Sequence, residues 1–203
     1  MRSAVLAGGA ASRFGGHPKG LEKIGGIRAL DRVVEAVIAA TGSPPTLIAN
    51  ATEAAEWRPG LTVVEDVIRH RGSLGGILTA VAAGEGPVLV VGWDMPFITP
   101  GVLGDLVSHS ADYDVFLPES RGPLGVEPLC GVYGPACENP IRRSIENEDL
   151  RTTAFHSEVR AGTLSLEHVT THGNLEVLFF NVNDPDDLAR AETLWREQHA
   201  ATP

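Results

Sequence analysis

Residues Leu6 to Gly20 read LAGGAASRFGGHPKG, with Lys23 just beyond them. The run that leads in, Ser3 to Ala7, is short and apolar, and its Val5 and Leu6 suit a buried parallel strand better than a first helical turn. The segment therefore reads as strand, then glycine loop. Gly8, Gly9, Gly15 and Gly16 let the backbone turn sharply and bring N–H groups close to a ligand. Arg13, Lys19 and Lys23 add positive charge, and Lys19 and Lys23 are the only two lysines among the 16 lysines and arginines. Lysine offers a point charge to a mobile phosphate where arginine would impose a planar fork. The loop is not a Walker A loop, because Gly20 stands where a hydroxyl residue would have to follow Lys19. It is not a dinucleotide fingerprint either, since Gly8-Gly9-Ala10-Ala11-Ser12-Arg13 lacks G-x-G-x-x-G. An ordinary glycine-rich turn between strand and helix is the structural alternative.

The chain has 203 residues, 43% hydrophobic and 21% charged, with a formal net charge of −10. That length and composition predict one soluble α/β domain over residues 1–203. The negative balance argues against a broad nucleic-acid or membrane-surface role but allows an anionic substrate held by a local basic loop. The N-terminus has Arg2 followed by small and apolar residues, yet its apolar run of about four falls short of the roughly seven to fifteen of a signal core. No apolar segment approaches the roughly 20 residues needed to span a bilayer. Cys130 and Cys137 have neither metal spacing nor a disulfide framework, so they read as core thiols in a reducing cytoplasm.

Leu30, Val33, Val34, Val37 and Ile38 fall on one helical face, which Thr41-Gly42 and Pro44-Pro45 terminate. Thr46–Ala49 and Leu61–Val64 read as short strands ending at Asn50 and at Glu65-Asp66, where an open α/β sheet presents ligand contacts. Asn50 could equally be a turn residue and Asp66 a cap. Arg69 to Gly76 is a second glycine-rich turn leading into a helix over Ile77–Ala83, with Ser73 as its candidate cap. Val88-Leu89-Val90-Val91 is the most strand-like run and is predicted at the sheet centre.

Asp94 follows that strand by two residues, and Pro96 biases Met95 towards extended backbone, so its carboxylate is directed at the binding edge. One such carboxylate, with substrate phosphates and waters, suffices in kind for magnesium. A helix is expected over Pro100–Ser108, strands over Asp114–Pro118 and Glu127–Tyr133, and a helix through Ile141–Ile145. Val169-Thr170-Thr171 favours a strand, which would separate His168 from His172 by about 13 Å and argues against a metal set. Leu178–Asp184 reads as an apolar strand that passes through Asn181 and Asn183, on one side, into a helix marked by Asp184 and Pro185. The alternation of elements predicts a mostly parallel sheet in a three-layer α/β/α arrangement.

Taken in order, LAGGAASRFGG with Lys19, GSLGGI after Asp66, WDMPF with Asp94, EPLC, and FFNVNDPDDL resemble the molybdenum cofactor guanylyltransferases, a family of Rossmann-like nucleotidyltransferases. The resemblance spans residues 6–188. It implies that GMP passes from GTP to the terminal phosphate of molybdopterin and that pyrophosphate leaves. It makes Leu6, Ala7, Gly8, Gly9 and Lys19 the phosphate site, and Asp94 the Mg2+ ligand. Lys19, Arg13 and Asp94 become the catalytic set, Asn50 and Asp66 the nucleoside contacts, and Asn181 and Asn183 the acceptor contacts. The partners implied are GTP and molybdopterin, with transient contact to cofactor-insertion proteins or apoenzymes, and neither nucleic acid nor membrane. Two positions depart from the family: Phe14, where methionine is usual, and Trp93, where a cysteine usually precedes the aspartate. The Asp94-Met95-Pro96 and Leu6-Ala7-Gly8-Gly9 motifs favour GTP over CTP. Other readings are a related nucleotidyltransferase acting on a sugar phosphate, a GTP-binding module that delivers the cofactor without catalysis, and an NAD-dependent oxidoreductase, which the missing fingerprint disfavours.

Overall fold

A computed structural model describes residues 1–8 and 17–200; Gly9 and Arg13 of the expected site, with the rest of 9–16, lie outside the described residues, as do 201–203. Among the described residues nine strands occur, in the order Arg2–Leu6 (β1), Lys23–Ile24 (β2), Ile27–Arg28 (β3), Thr46–Ile48 (β4), Val63–Val64 (β5), Val88–Gly92 (β6), Val115–Pro118 (β7), Cys130–Tyr133 (β8) and Ala161–Leu164 (β9). β2 and β3 form a small antiparallel hairpin, and the others form one sheet in the order β5-β4-β1-β6-β8-β7-β9. Only β8 runs against its neighbours. β6 is the middle strand and is buried along its whole length, as its unbroken Val/Leu run predicts. Leu6 is level with Ile48 on one side and Gly92 on the other, so β1, β4 and β6 end together at one edge of the sheet.

Helices Ala29–Thr41 (α1) and Pro100–His109 (α4) cover one face of the sheet. Leu30, Val33, Val37, Leu103 and Leu106 pack there on Val5, Leu89 and Val91. Gly72–Ala82 (α3) and Glu138–Glu146 (α5) cover the other face, where Leu74, Ile77, Leu78 and Ile141 meet Ala4, Leu6 and Val90. The period-2 alternation along β1 and β6 supplies both cores at once. The expected three layers are present, with the short helix Ala54–Trp57 (α2) between β4 and β5. A smaller core of Ile24, Ala29, Phe97, Val182 and Ala191 fastens the hairpin and the last helix, Pro185–Ala200 (α8), to the same body.

Three expectations are corrected. α3 starts at Gly72, not Ile77, and its N-cap position is Arg71 with no side-chain cap, so Ser73 caps nothing. His70 and Gly72 take positive φ, 62° and 57°, which turns the chain into the helix earlier than the apolar pattern suggests. Gly76, inside that helix, lets it approach β1 closely: a Cβ there would lie 3.2 Å from Leu6 Cδ1.

Val169-Thr170-Thr171 is not strand either, because Leu166–Thr170 forms a helix (α6) capped by Ser165, whose Oγ accepts from His168 N at 3.3 Å. His168 and His172 therefore face the same way, and their Nε2 atoms lie 3.4 and 2.6 Å from Asp105 Oδ2 on α4. The run Leu178–Asp184 joins no sheet. Leu175–Leu178 is a short helix (α7) whose N-cap Asn174 accepts from Glu176 N, and the extended segment after it is held by Val182 N donating to Asp94 O at 2.9 Å. The expected helix start does hold: Asp184 Oδ1 accepts from Asp187 N at 2.9 Å.

One polar network ties α1 to α2. Asp31 receives Arg28 at 2.6 and 2.9 Å and Arg58 at 2.7 Å. Burial pushes the Asp31 carboxyl up, but the hydrogen bonds and charges of the two guanidiniums outweigh it and hold the group below the usual aspartate range. Asp31→Asn is expected to lower stability by about 1 kcal/mol at neutral pH. A carboxylate with a depressed value contributes above its unfolded pKa and loses that contribution as pH falls through its folded one. Wild type and variant should therefore converge as pH falls below the ordinary aspartate value, which urea melts at neutral and acidic pH would measure.

Candidate active site

The aligned ends of β1, β4 and β6 form the floor. Past β6 the ladder continues for one residue, with Trp93 N donating to Leu6 O at 3.2 Å, and Asp94 follows. Past β1, the chain returns to this edge through Pro18 into a single 3-10 turn, Lys19–Leu21. Lys19 Nζ donates to Asp94 Oδ2 at 2.6 Å and to Asn183 Oδ1 at 2.8 Å. Three segments far apart in sequence thus meet on one ammonium group. The Lys19 and Asp94 side chains are only 17% and 11% exposed, so their charge-assisted bond is largely shielded from solvent. An ammonium has three N–H donors, and this arrangement commits two of them.

Asn183 is held from both sides: its N–H donates to Asp187 Oδ2 at 2.9 Å while its side chain meets Lys19. Asn181 does not join the cluster, because its Nδ2 turns back to Phe179 O at 3.0 Å. Asn50 and Asp66, at the ends of β4 and β5, pair with each other instead of with Lys19. Asn50 Nδ2 donates to Asp66 Oδ2 at 2.6 Å, and Asp66 N donates to Asn50 Oδ1 at 3.0 Å. Neither caps a helix. Leu6 and Ala7 are buried, with Ala7 N donating to Ile48 O at 2.8 Å, and Gly8 is exposed just beyond them. Lys23 is exposed on the hairpin. Gly9 and Arg13 lie outside the described residues.

One residue at this edge carried no role in the sequence reading: Glu127, at the head of EPLC. That segment runs beside the end of β6, where Leu129 O accepts from Gly92 N at 2.7 Å. Burial raises the Glu127 carboxyl above its usual range, a hydrogen bond from Ser120 opposes this, and the charge of Asp94 raises it further. The EPLC motif marks the segment but gives Glu127 no role, since its significance lies in its nearness to Asp94. Cys130 and Cys137 are buried thiols; burial pushes Cys137 up to about 12 and Cys130 further, so neither is a nucleophile at neutral pH.

Among the described residues no three His, Cys, Asp or Glu side chains group as a metal site. Magnesium does not require such a group, because it keeps waters and takes one or two carboxylates together with substrate phosphates. Asp94, with Glu127 within reach of its charge, fits that donor chemistry. Among the described residues no helix is long and apolar enough to cross a membrane.

The family described as "MobA-like NTP transferase domain" matches residues 3–160. A "Probable molybdenum cofactor guanylyltransferase" of Pelotomaculum thermopropionicum is 34% identical over 194 residues, covering 94% of this chain and 91% of the relative. The "Molybdenum cofactor guanylyltransferase" of Desulfosudis oleivorans is 29% identical over 190 residues, covering 93% of this chain and 92% of that one. Among solved structures, the molybdopterin-guanine dinucleotide biosynthesis protein A of Archaeoglobus fulgidus superposes with a TM-score of 0.81 at 26% identity, covering 97% of this chain and all of that one. The family match, these relatives and the shared fold agree, and the chain belongs to the MobA-like NTP transferase family.

Proposed function

We propose that this protein is a molybdenum cofactor guanylyltransferase, which transfers GMP from GTP to the terminal phosphate of molybdopterin. An oxygen of that phosphate forms a bond to the α-phosphorus of GTP. The bond from the α-phosphorus to the bridging oxygen breaks, and pyrophosphate leaves with its electron pair. The observation that carries this reading is the single ammonium of Lys19 bonded at once to Asp94 and to Asn183, which joins the two sides on which the reactants would lie.

Both reactants are anions, and two unit charges about 4 Å apart repel by roughly 4 kcal/mol at an effective dielectric near 20. The work of the protein is therefore to neutralise and align. Leu6 to Gly9 would line the phosphate site, the Ala7 N–H staying on Ile48 O, with Lys19 and Arg13 supplying charge. Asn50 and Asp66 would hold the nucleoside, while Asn181 and Asn183 would hold the acceptor, for which Asn181 must release Phe179 O. Asp94, with Glu127 beside it, would hold magnesium, which when bound withdraws charge from the phosphate oxygens. The attacking phosphate is already ionised, so no side-chain nucleophile is required. The setting proposed is the cytoplasm.

A nucleotide panel tests the reading. With purified molybdopterin as acceptor, pyrophosphate release is expected with GTP and to be at least tenfold slower with CTP, ATP or UTP. Faster release with CTP would move the chain to a cytidylyl transfer. Tight GTP binding with no magnesium-dependent release would make it a delivery module instead.

A further inference from the structure

Trp93 separates the central strand from Asp94, and its ring lies beneath the turn that carries Lys19. A Cβ placed on Gly20 would stand 2.3 Å from Trp93 Cε3 and 2.5 Å from Cδ2, so the backbone of Gly20 packs directly against the indole. Trp57 also stacks on Trp93, with ring centroids 5.1 Å apart and planes inclined by 28°. Both rings are buried. Among the described residues no acceptor meets Trp93 Nε1, so packing and the Trp93 N to Leu6 O bond hold the ring. The two contacts at this point are adjacent in sequence on both sides: Gly20 touches Trp93, and Lys19 touches Asp94. Consecutive Cα atoms are a fixed 3.80 Å apart, so seating one pair constrains the other.

We infer that Trp93 is a positioning residue for Lys19, its indole face setting the height and direction of the Pro18–Leu21 turn so that the ammonium arrives at Asp94. Lysine is a long flexible side chain, and a turn free to shift would let it reach many points along the edge. A rigid indole, itself stacked on a second ring, removes that freedom at low entropic cost because it has only two side-chain torsions. The floor demands glycine at position 20, since a methyl group there would have to displace the ring or lift the turn. The catalytic consequence rests on the function proposed above, whereas the positional one does not.

The sequence makes the test direct. With two lysines in the chain, protein labelled with 15N and 13C in lysine alone shows two side-chain signals, Lys19 in its ion pair and exposed Lys23 as internal reference. In wild type the two are expected to be distinct. Gly20→Ala and Trp93→Leu should each bring the Lys19 signal to the Lys23 position and lower kcat/KM by about 10²-fold, mostly through kcat. Trp93→Phe, which restores a flat ring, should retain both. Gly20→Ala reports the contact from the side of the turn, so the test does not depend on the tryptophan variant folding. An unchanged Lys19 signal in folded Gly20→Ala or Trp93→Leu overturns the inference, as would coincident signals in wild type. A wild-type enzyme without GTP-dependent pyrophosphate release would overturn the proposed function and leave the spectroscopic result standing.

Discussion

Asp94→Asn is expected to lower GTP-dependent pyrophosphate release by about 10²–10³-fold, the range seen when one preorganised charge-stabilising group is removed. The substitution keeps the shape of the side chain and removes its charge. The backbone of residue 94 would still accept from Val182 N, and the strand before it would still be buried, so the melting temperature should move by only a few degrees. What is lost is the only acid within bonding distance of Lys19 among the described residues, together with the carboxylate proposed for magnesium. Calorimetric titration with Mn2+ and GTP separates these effects. Metal uptake should fall in Asp94→Asn and persist in Lys19→Ala. Wild-type turnover in Asp94→Asn would remove the residue from the mechanism.

Lys19→Ala should cost a similar factor, about 10²–10³-fold in kcat, by taking away a cation where negative charge develops. It also leaves Asp94 and Asn183 without their shared partner. Part of the loss should therefore appear as weaker coupling between the two substrates: GTP should bind more weakly, and acceptor binding should no longer tighten when GTP is present. Lys19→Arg is not a conservative rescue here. The guanidinium is a planar fork, and the acceptors it would meet are one carboxylate oxygen and one amide oxygen on different segments. Activity near wild type in Lys19→Ala, with the fold intact, would refute its role.

Much of this architecture can be read before any coordinates. The four consecutive apolar residues Val88–Val91 can be buried on both faces only in an interior strand, and that is where they lie. Leu30, Val33, Val34 and Val37 recur at helical spacing and are buried as a stripe. The reading fails where local preference meets a longer-range partner. Val169-Thr170-Thr171 has β propensity, but the Ser165 cap and the pull of Asp105 on two histidines favour a helix. Leu178-Phe179-Phe180 is too short an apolar run to choose its own form, and the Asn174 cap chooses for it.

The candidate site divides in the same way. Lys19 announces itself by type at the end of the glycine loop and Asp94 by its position after a strand, but that they bond each other is a fact about two segments 75 residues apart. Asn183 was legible as a polar residue on an exposed edge, and Asn181 equally so; only the fold shows that one meets Lys19 and the other does not. Glu127 stands at the head of a motif, EPLC, that names no role for it.

The resting state of Lys19 has a last consequence. A cation in an empty cleft ordinarily attracts whatever anion is abundant, and chloride or inorganic phosphate would then compete with substrate. Here the ammonium is already engaged by two oxygens at 2.6 and 2.8 Å and largely shielded. A newcomer must therefore replace existing bonds, not merely add one, and a small monovalent ion recovers too little to do so. Under the proposed function, a polyphosphate that also engages a metal on Asp94 would meet that threshold. The site would then screen its ligands by charge number before it reads their bases, and its activity should be less sensitive to chloride than that of a cleft lined by unpaired lysines.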